Sequence, residues 1–126
     1  MKVLVIDDSK FQRLAIQRAL VRAGYDVATA GDGEEGLHAA SASHPDVIVL
    51  DMLLPRISGI DVLRTLRREA KTRTVPVIVL TGLSEKNKEK LMTEGATAFM
   101  EKSLALSNGD CEALINVIGR VPAGGG

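Results

Sequence analysis

The chain has 126 residues, which is the size of one ordinary domain. Its 16 basic and 16 acidic side chains cancel, so no net field draws it to nucleic acid or an anionic membrane, and 2% aromatic residues disfavour a base-stacking surface. The single cysteine, Cys111, excludes an intrachain disulfide, and no apolar run approaches the roughly 18 residues of a membrane span. We expect a cytoplasmic domain over residues 1–121 and a flexible tail or linker start at 122–126.

Short segments rich in Val and Ile predict the strands. The clearest are Lys2–Ile6, Asp46–Leu50 and Val77–Leu80, whose apolar character is nearly continuous. This pattern is typical of parallel strands that are covered on both faces. The segment Tyr25–Ala30 alternates more and suits an edge strand, and Ala98–Met100 is a short fifth candidate.

Helical patterns separate these strands. Ser9 caps the first predicted helix and Gly24 ends it. Its predicted apolar face consists of Phe11, Ala15, Ile16, Ala19 and Leu20. Asp32 and Ser58, each followed three residues later by an acid, begin the second and third helices.

The last two predicted helices have weaker signals. The fourth runs from Ser84 to Gly95 and has few large apolar side chains, so we expect it to be the most mobile element. The fifth begins at Asn108 or Asp110. The basic stretch at the end of the third helix predicts a solvated face; it consists of Arg64, Arg67, Arg68, Lys71 and Arg73.

A β-α unit repeated five times predicts an α/β fold with a doubly wound parallel sheet and helices on both faces. Ligands of such sheets bind beyond the carboxyl ends of the strands. Asp7 and Asp8 follow the first strand, Asp51 ends the third, Thr81 ends the fourth and Lys102 follows the fifth. The sequence therefore predicts that three carboxylates, a hydroxyl and an ammonium group meet at one rim.

Clustered carboxylates repel one another unless a proton or a cation is present. Mg²⁺ prefers oxygen ligands and phosphate oxygens, so we expect Mg²⁺ or Mn²⁺ at Asp7, Asp8 and Asp51. Asp51 stands alone at the end of a central strand and is the best nucleophile for an aspartyl-phosphate. Lys102 and Thr81 would contact the other phosphoryl oxygens.

At these residues the sequence resembles the receiver domain of two-component response regulators, including the stand-alone chemotaxis type. The resemblance covers about residues 2 to 120, and its motifs are Asp7-Asp8-Ser9, Asp51 to Pro55, Ser58-Gly59, Thr81-Gly82, Phe99 and Lys102. It implies a flavodoxin-like sheet with strand order 2-1-3-4-5.

The resemblance also implies roles for single residues. Asp51 would accept a phosphoryl group from the phosphohistidine of a sensor histidine kinase or phosphotransfer protein. Asp7, Asp8, Asp51 and the backbone carbonyl of Leu53 would hold the metal, and Lys102 would bind the phosphate. The chain would be a phosphorelay switch, a monomer or weak dimer, and not an enzyme that turns over an external metabolite.

The switch itself would involve Thr81 and Phe99. Thr81 would move toward the phosphate, and Phe99 would turn inward and change the face of helix four, strand five and helix five that meets an effector. Phe99 lacks the hydroxyl of Tyr, so it would switch by burial alone. Gly82 replaces the commoner Ala and should loosen the loop.

Ser103 stands where the family usually has Pro, often after a cis bond. A cis bond before Ser costs about 2.5–4 kcal/mol, so we expect a trans bond or a strained loop after Lys102. Leu53 and Leu83 lie two residues beyond Asp51 and Thr81, where the family's side chains flank the phosphoryl group. Both can exclude water, which predicts a long-lived acyl phosphate unless they only shield apolar surface.

Three other functions remain open. A haloacid-dehalogenase-type phosphatase also uses Asp, Thr, Lys and Mg²⁺, but it needs an acid where this chain has Leu53. A flavin carrier of similar topology would need a Ser/Thr/Gly-rich loop where this chain has Asp7 and Asp8. A degenerate receiver would act as an interaction module that is never phosphorylated.

Overall fold

The computed structural model describes residues 1–54, 57–82 and 88–121 of the chain. The predicted tail at 122–126 and Leu83 lie outside these ranges, as does the predicted start of the fourth helix. The helices, strands and contacts of the structure are those of the described residues.

Five strands form one parallel sheet in the order β2-β1-β3-β4-β5, which confirms the predicted topology. The strands are β1 (Lys2–Ile6), β2 (Asp26–Ala30), β3 (Val47–Asp51), β4 (Val77–Thr81) and β5 (Ala98–Glu101). The register pairs Ile6 with Leu50 and Asp51 with Leu80, so the carboxyl ends of the three central strands lie at the same edge.

The helices are α1 (Lys10–Arg22), α2 (Gly33–Ser43), α3 (Gly59–Arg68), α4 (Lys88–Thr93), α5 (Lys102–Ala105) and α6 (Glu112–Arg120). The predicted caps are confirmed, because the side chains of Ser9, Asp32 and Ser58 accept hydrogen bonds from backbone amides three residues ahead. Within the described ranges, no helix has both the length and the apolar character that a membrane crossing needs.

The end of the chain differs from the prediction of a single fifth helix. The one-turn helix α5 follows β5 directly, and a 3₁₀ turn at Ser107–Gly109 comes before α6. The predicted fifth helix therefore corresponds to α6, which begins after Cys111 rather than at Asn108 or Asp110. One turn is too short to show helical periodicity in a sequence, which explains why α5 was missed.

Two apolar clusters pack on opposite faces of the sheet, because successive strand residues point to opposite sides. Leu4 and Ile6 of β1 belong to one cluster, which also holds apolar residues of α2, α3 and α4. Val3 and Val5 belong to the other, with residues of α1 and α6. Strands β3 and β4 are buried throughout, which accounts for their continuous apolar sequence.

The predicted apolar face of α1 is wrong in one residue. Ile16, Ala19 and Leu20 are buried as expected, but Phe11 is 86% exposed. Phe11 lies five residues before Ile16, which places it about 140° away around the helix axis. Leu14 and Val21 are also exposed, so α1 has an uncovered apolar side.

The basic stretch at the end of α3 is only partly a solvated face. Arg67 is half-buried, and its guanidinium donates hydrogen bonds of 2.7 and 2.9 Å to the carbonyl of Gly95 and of 2.6 Å to that of Val75. Arg64 holds Glu94 through two hydrogen bonds of 2.7 and 2.8 Å. These contacts attach α3 to the segment that follows α4 and to the segment that precedes β4.

Candidate functional site

Four of the predicted site residues lie where the prediction put them, at the carboxyl edge of the sheet. Asp51 and Thr81 are the last residues of β3 and β4, Asp7 follows β1 and Lys102 follows β5. Asp7, Asp51 and Thr81 are buried, whereas the neighbouring Asp8 is exposed. This edge of the sheet thus combines three buried polar side chains with one acidic side chain, that of Asp8, which is open to solvent.

The three carboxylates form the predicted acidic cluster. Asp7, Asp8 and Asp51 each offer an oxygen, and these oxygens lie within 4.8 Å of one another. The Oδ1 atom of Asp7 accepts a hydrogen bond of 2.9 Å from the Ser9 amide. Its Oδ2 atom is buried and has no hydrogen-bond partner among the described residues. A buried oxygen of this kind is what a bound cation would satisfy, so the residues fit a divalent metal.

Burial raises the pKa of the Asp7 carboxyl from 3.8 to about 6. The value of about 6 is a net result: the nearby carboxylate of Asp51 also raises this pKa, whereas the Ser9 amide and the Lys102 ammonium lower it. The raised pKa means that burial disfavours the ionised form of Asp7, and a neighbouring positive charge makes that form less unfavourable. A cation bound among the three carboxylates would also favour the ionised form of Asp7 and lower this pKa.

Both oxygens of Asp51 are held by donors. Oδ2 accepts a hydrogen bond of 2.8 Å from the Lys102 ammonium, and Oδ1 accepts one of 3.0 Å from the Leu53 amide. The side chain of Lys102 is 19% exposed and that of Asp51 is 1% exposed, so this ion pair is largely removed from water. The carboxylate therefore has a defined orientation, which a nucleophile requires.

The bond between Lys102 and Ser103 is trans, because none of the peptide bonds in the described ranges is cis. This confirms the first of the two expectations for this bond. Lys102 is the first residue of α5, and the chain enters this helix from β5 without a loop. Lys102 thus reaches Asp51 without the usual proline.

The predicted switch residues occupy different positions. Thr81 is buried at the end of β4. Phe99, on β5, pairs with Val79 of β4. It is partly buried against the apolar cluster that contains Leu91 of α4. The movements expected of Thr81 and Phe99 stay predictions.

Gly82 follows Thr81 in open space. A Cβ atom built on Gly82 meets no atom within 4 Å, and its φ is outside the left-handed region. We expect Gly82→Ala to raise the free energy of unfolding by about 0.4–1 kcal/mol, because alanine restricts the unfolded chain.

Chemical denaturation would measure this change, with Gly95→Ala as the matched control. Gly95 has a φ of 112°, and its Cβ would lie 2.8 Å from Arg67, so alanine there should destabilise the protein. A lower stability for Gly82→Ala would contradict the prediction.

Sequence reasoning missed how closely α3 packs on the turn after Asp51. A Cβ atom on Gly59 would lie 2.7 Å from the Cα of Met52, and the Gly59 amide donates to the Met52 carbonyl at 3.3 Å. Only glycine allows this approach. A glycine directly after the capping Ser58 was the available signal.

Sequence comparison identifies relatives over most of the chain. The family described as the response regulator receiver domain matches residues 3–110. The alkaline phosphatase synthesis transcriptional regulatory protein PhoP of Bacillus subtilis is 42% identical over 102 residues, which are 80% of this chain and 42% of PhoP. The chain therefore spans less than half the length of this curated relative.

Structural comparison gives the same result. Chemotaxis response regulator CheY4 of Vibrio cholerae is 32% identical, with a TM-score of 0.86 over 96% of this chain and 98% of that chain. Response regulator TrrA of Thermotoga maritima, solved in complex with Mg²⁺-BeF, is 28% identical, with a TM-score of 0.80 over 94% and 96% of the two chains. With five parallel strands and an acidic rim that suits a phosphoacceptor, this chain belongs to the response regulator receiver domain family.

Proposed function

We propose that this chain is a signalling switch in which Asp51 accepts a phosphoryl group from the phosphohistidine of a sensor histidine kinase or a phosphotransfer protein. A carboxylate oxygen of Asp51 forms a bond to phosphorus as the bond from phosphorus to the histidine nitrogen breaks, and the nitrogen keeps the electron pair. The observation that carries the proposal is the buried Asp51 carboxylate, held by Lys102 and the Leu53 amide beside two further carboxylates. The chain turns over no external metabolite.

Asp7, Asp8, Asp51 and the backbone carbonyl of Leu53 would hold Mg²⁺ or Mn²⁺. The metal would neutralise negative charge on the incoming phosphoryl group. Two observations support this assignment: the unsatisfied buried Oδ2 atom of Asp7 and the similarity to TrrA, which was solved with Mg²⁺-BeF. Lys102 would move from its ion pair with Asp51 to an oxygen of the phosphoryl group.

Phosphorylation of Asp51 would change the conformation of a surface away from the acceptor site. Thr81 would approach the phosphoryl group, Phe99 would turn inward, and the face made by α4, β5 and α6 would change its affinity for an effector. The partly buried position of Phe99 against the apolar cluster that contains Leu91 of α4 supports such coupling. We place this switch in the cytoplasm, as a monomer or a weak dimer.

The test is intact-mass measurement after incubation with acetyl phosphate and Mg²⁺. Wild-type protein should gain one phosphoryl group per chain, and Asp51→Ala should gain none. Label on Asp51→Ala would overturn the assignment of the acceptor, and an unlabelled wild type would favour a degenerate receiver. Many turnovers of an aryl phosphate by the wild type would favour the phosphatase instead.

Leu53 should control how long the acyl phosphate lasts. Leu53 is 58% exposed and its amide donates to Asp51, so the residue lies at the solvent edge of the acceptor. We expect Leu53→Asn to shorten the lifetime severalfold, because asparagine can orient an attacking water that leucine excludes.

The measurement is the loss of label after the phosphodonor is removed. Val21→Asn, which replaces an exposed apolar side chain of α1, is the control and should leave the lifetime unchanged. An unchanged lifetime in Leu53→Asn would mean that Leu53 only covers apolar surface.

A further inference from the structure

Arg13 of α1 makes a contact with the acidic cluster that the proposed chemistry does not use. Its Nη1 atom donates a hydrogen bond of 2.8 Å to the backbone carbonyl of Asp7. The amide of Asp7 donates a bond of 3.1 Å to the carbonyl of Ala30 at the end of β2. The backbone of Asp7 is therefore held from two sides, by a strand and by a helix.

The Asp7 carbonyl belongs to the peptide unit that leads into Asp8. Because that unit is planar, fixing the direction of the carbonyl also fixes the direction of the Asp8 amide and the start of its backbone. Asp7 and Asp51 are positioned by burial, whereas Asp8 is exposed. A charge-assisted hydrogen bond from Arg13 is thus well placed to orient Asp8 toward the other two carboxylates.

Gly31 leaves the space that the guanidinium occupies. A Cβ atom built on Gly31 would lie 3.1 Å from Nη1 and 3.7 Å from Cζ of Arg13. The φ of Gly31 is outside the left-handed region, so the lack of a side chain matters here and not the backbone conformation. Alanine at 31 would require the guanidinium to shift by a few tenths of an ångström, which gives a second way to disturb its contact with the Asp7 carbonyl.

We propose that Arg13 is a positioning residue: by holding the carbonyl of Asp7 in the space left by Gly31, it sets the position of Asp8 for binding a divalent cation. This inference rests on the proposed metal-dependent function of the acidic cluster. Arg13 itself contacts neither the metal nor the phosphoryl group. Residues that orient metal ligands in this way commonly change metal affinity by 10- to 100-fold.

The experiment measures the dissociation constant of Mg²⁺ alone by calorimetry, together with denaturant unfolding of the metal-free protein. Arg13→Met keeps the apolar stem and removes the donor, so we expect Mg²⁺ binding to weaken about tenfold. Arg13→Lys retains one donor and should recover part of the affinity. Arg18→Met, at an exposed arginine of the same helix, should bind Mg²⁺ like the wild type.

Gly31→Ala should raise the dissociation constant of Mg²⁺, as Arg13→Met does. The double variant should bind Mg²⁺ no more weakly than Arg13→Met, because without the guanidinium the alanine methyl group has no Asp7 contact left to disturb. The amide resonance of Asp8 in the metal-free protein should shift in both single variants and stay in place in Arg18→Met.

The proposal would be overturned if the Arg13→Met protein unfolds more easily but binds Mg²⁺ with the affinity of the wild type. It would also be overturned if the losses of Mg²⁺ affinity of the two single variants add in the double variant. If Arg13→Met does not fold, Gly31→Ala and Arg13→Lys decide by the same measurements. A wild type that binds no Mg²⁺ would overturn this proposal and the metal assignment together. Failure of the Arg13 variants alone would leave the proposed function standing.

Discussion

Lys102→Met should lower the free energy of unfolding of the metal-free protein by about 3 kcal/mol at neutral pH. The substitution keeps an apolar stem of similar length but leaves the Asp51 carboxylate, which is 1% exposed, without the ammonium that holds it at 2.8 Å. Removing one member of a buried ion pair is costly because the remaining charge stays out of water. Denaturant unfolding measures the effect, with the exposed Lys71→Met as the control.

The double variant Lys102→Met with Asp51→Asn separates this cause from a loss of packing. If the stranded charge is responsible, adding Asp51→Asn should restore most of the lost stability. No recovery would show that the Lys102 stem, and not its charge, stabilises the rim. Lys102→Met alone should also be labelled by acetyl phosphate at least tenfold more slowly, because the ammonium would no longer meet the phosphoryl oxygens.

Asp7→Asn should stabilise the metal-free protein by roughly 1–3 kcal/mol at neutral pH. Burial raises the pKa of the Asp7 carboxyl from 3.8 to about 6, so folding at neutral pH has to keep a disfavoured negative charge inside. Asparagine removes that charge and keeps an oxygen that can accept from the Ser9 amide.

The pH dependence follows from the direction of this shift. A carboxyl whose pKa is raised by folding stabilises the fold below pH 4 relative to neutral pH, and this contribution is lost as the pH rises through 6. The advantage of Asp7→Asn should therefore be largest above pH 6 and should close between pH 6 and pH 4. Urea unfolding at several pH values measures it.

Added Mg²⁺ should reduce the stability advantage of Asp7→Asn over the wild type. Wild-type protein should be stabilised by added Mg²⁺, and Asp7→Asn should lose most of this response because a ligand and its charge are gone. A metal-free Asp7→Asn protein that is less stable than the wild type at neutral pH would contradict the argument from buried charge.

The fold was predictable because its signals are local. Val- and Ile-rich runs located β1, β3 and β4 to within one residue at either end, and the weaker signals of β2 and β5 were equally close. Side-chain caps at Ser9, Asp32 and Ser58 located three helix starts. The site was predictable for a related reason. Parallel strands bring their carboxyl ends to one edge, so Asp51 and Thr81 had to lie near one another.

The predictions that were wrong or missing depend on neighbours far along the chain. Phe11 matched a helical spacing, but the buried side of α1 is the one that packs in a cluster with Val49 of β3 and Ile78 of β4, and Phe11 is not on it. Arg67 looked like part of a charged surface, yet the carbonyl of Gly95, 28 residues away, receives its guanidinium. Local periodicity does not contain the position of such a partner.

By itself the sequence determined the order of the elements, because local patterns mark each strand and helix. It also determined the parallel sheet and the group of acidic, hydroxyl and ammonium side chains at its edge, because a repeated β-α unit forms a parallel sheet whose carboxyl ends meet. Only the tertiary structure decided that Lys102 holds Asp51 across 51 residues, that an oxygen of Asp7 is buried and unsatisfied among the described residues, and that Arg13 holds the Asp7 carbonyl. The physical reason is that these contacts require distances of about 3 Å between separate elements, which packing alone sets.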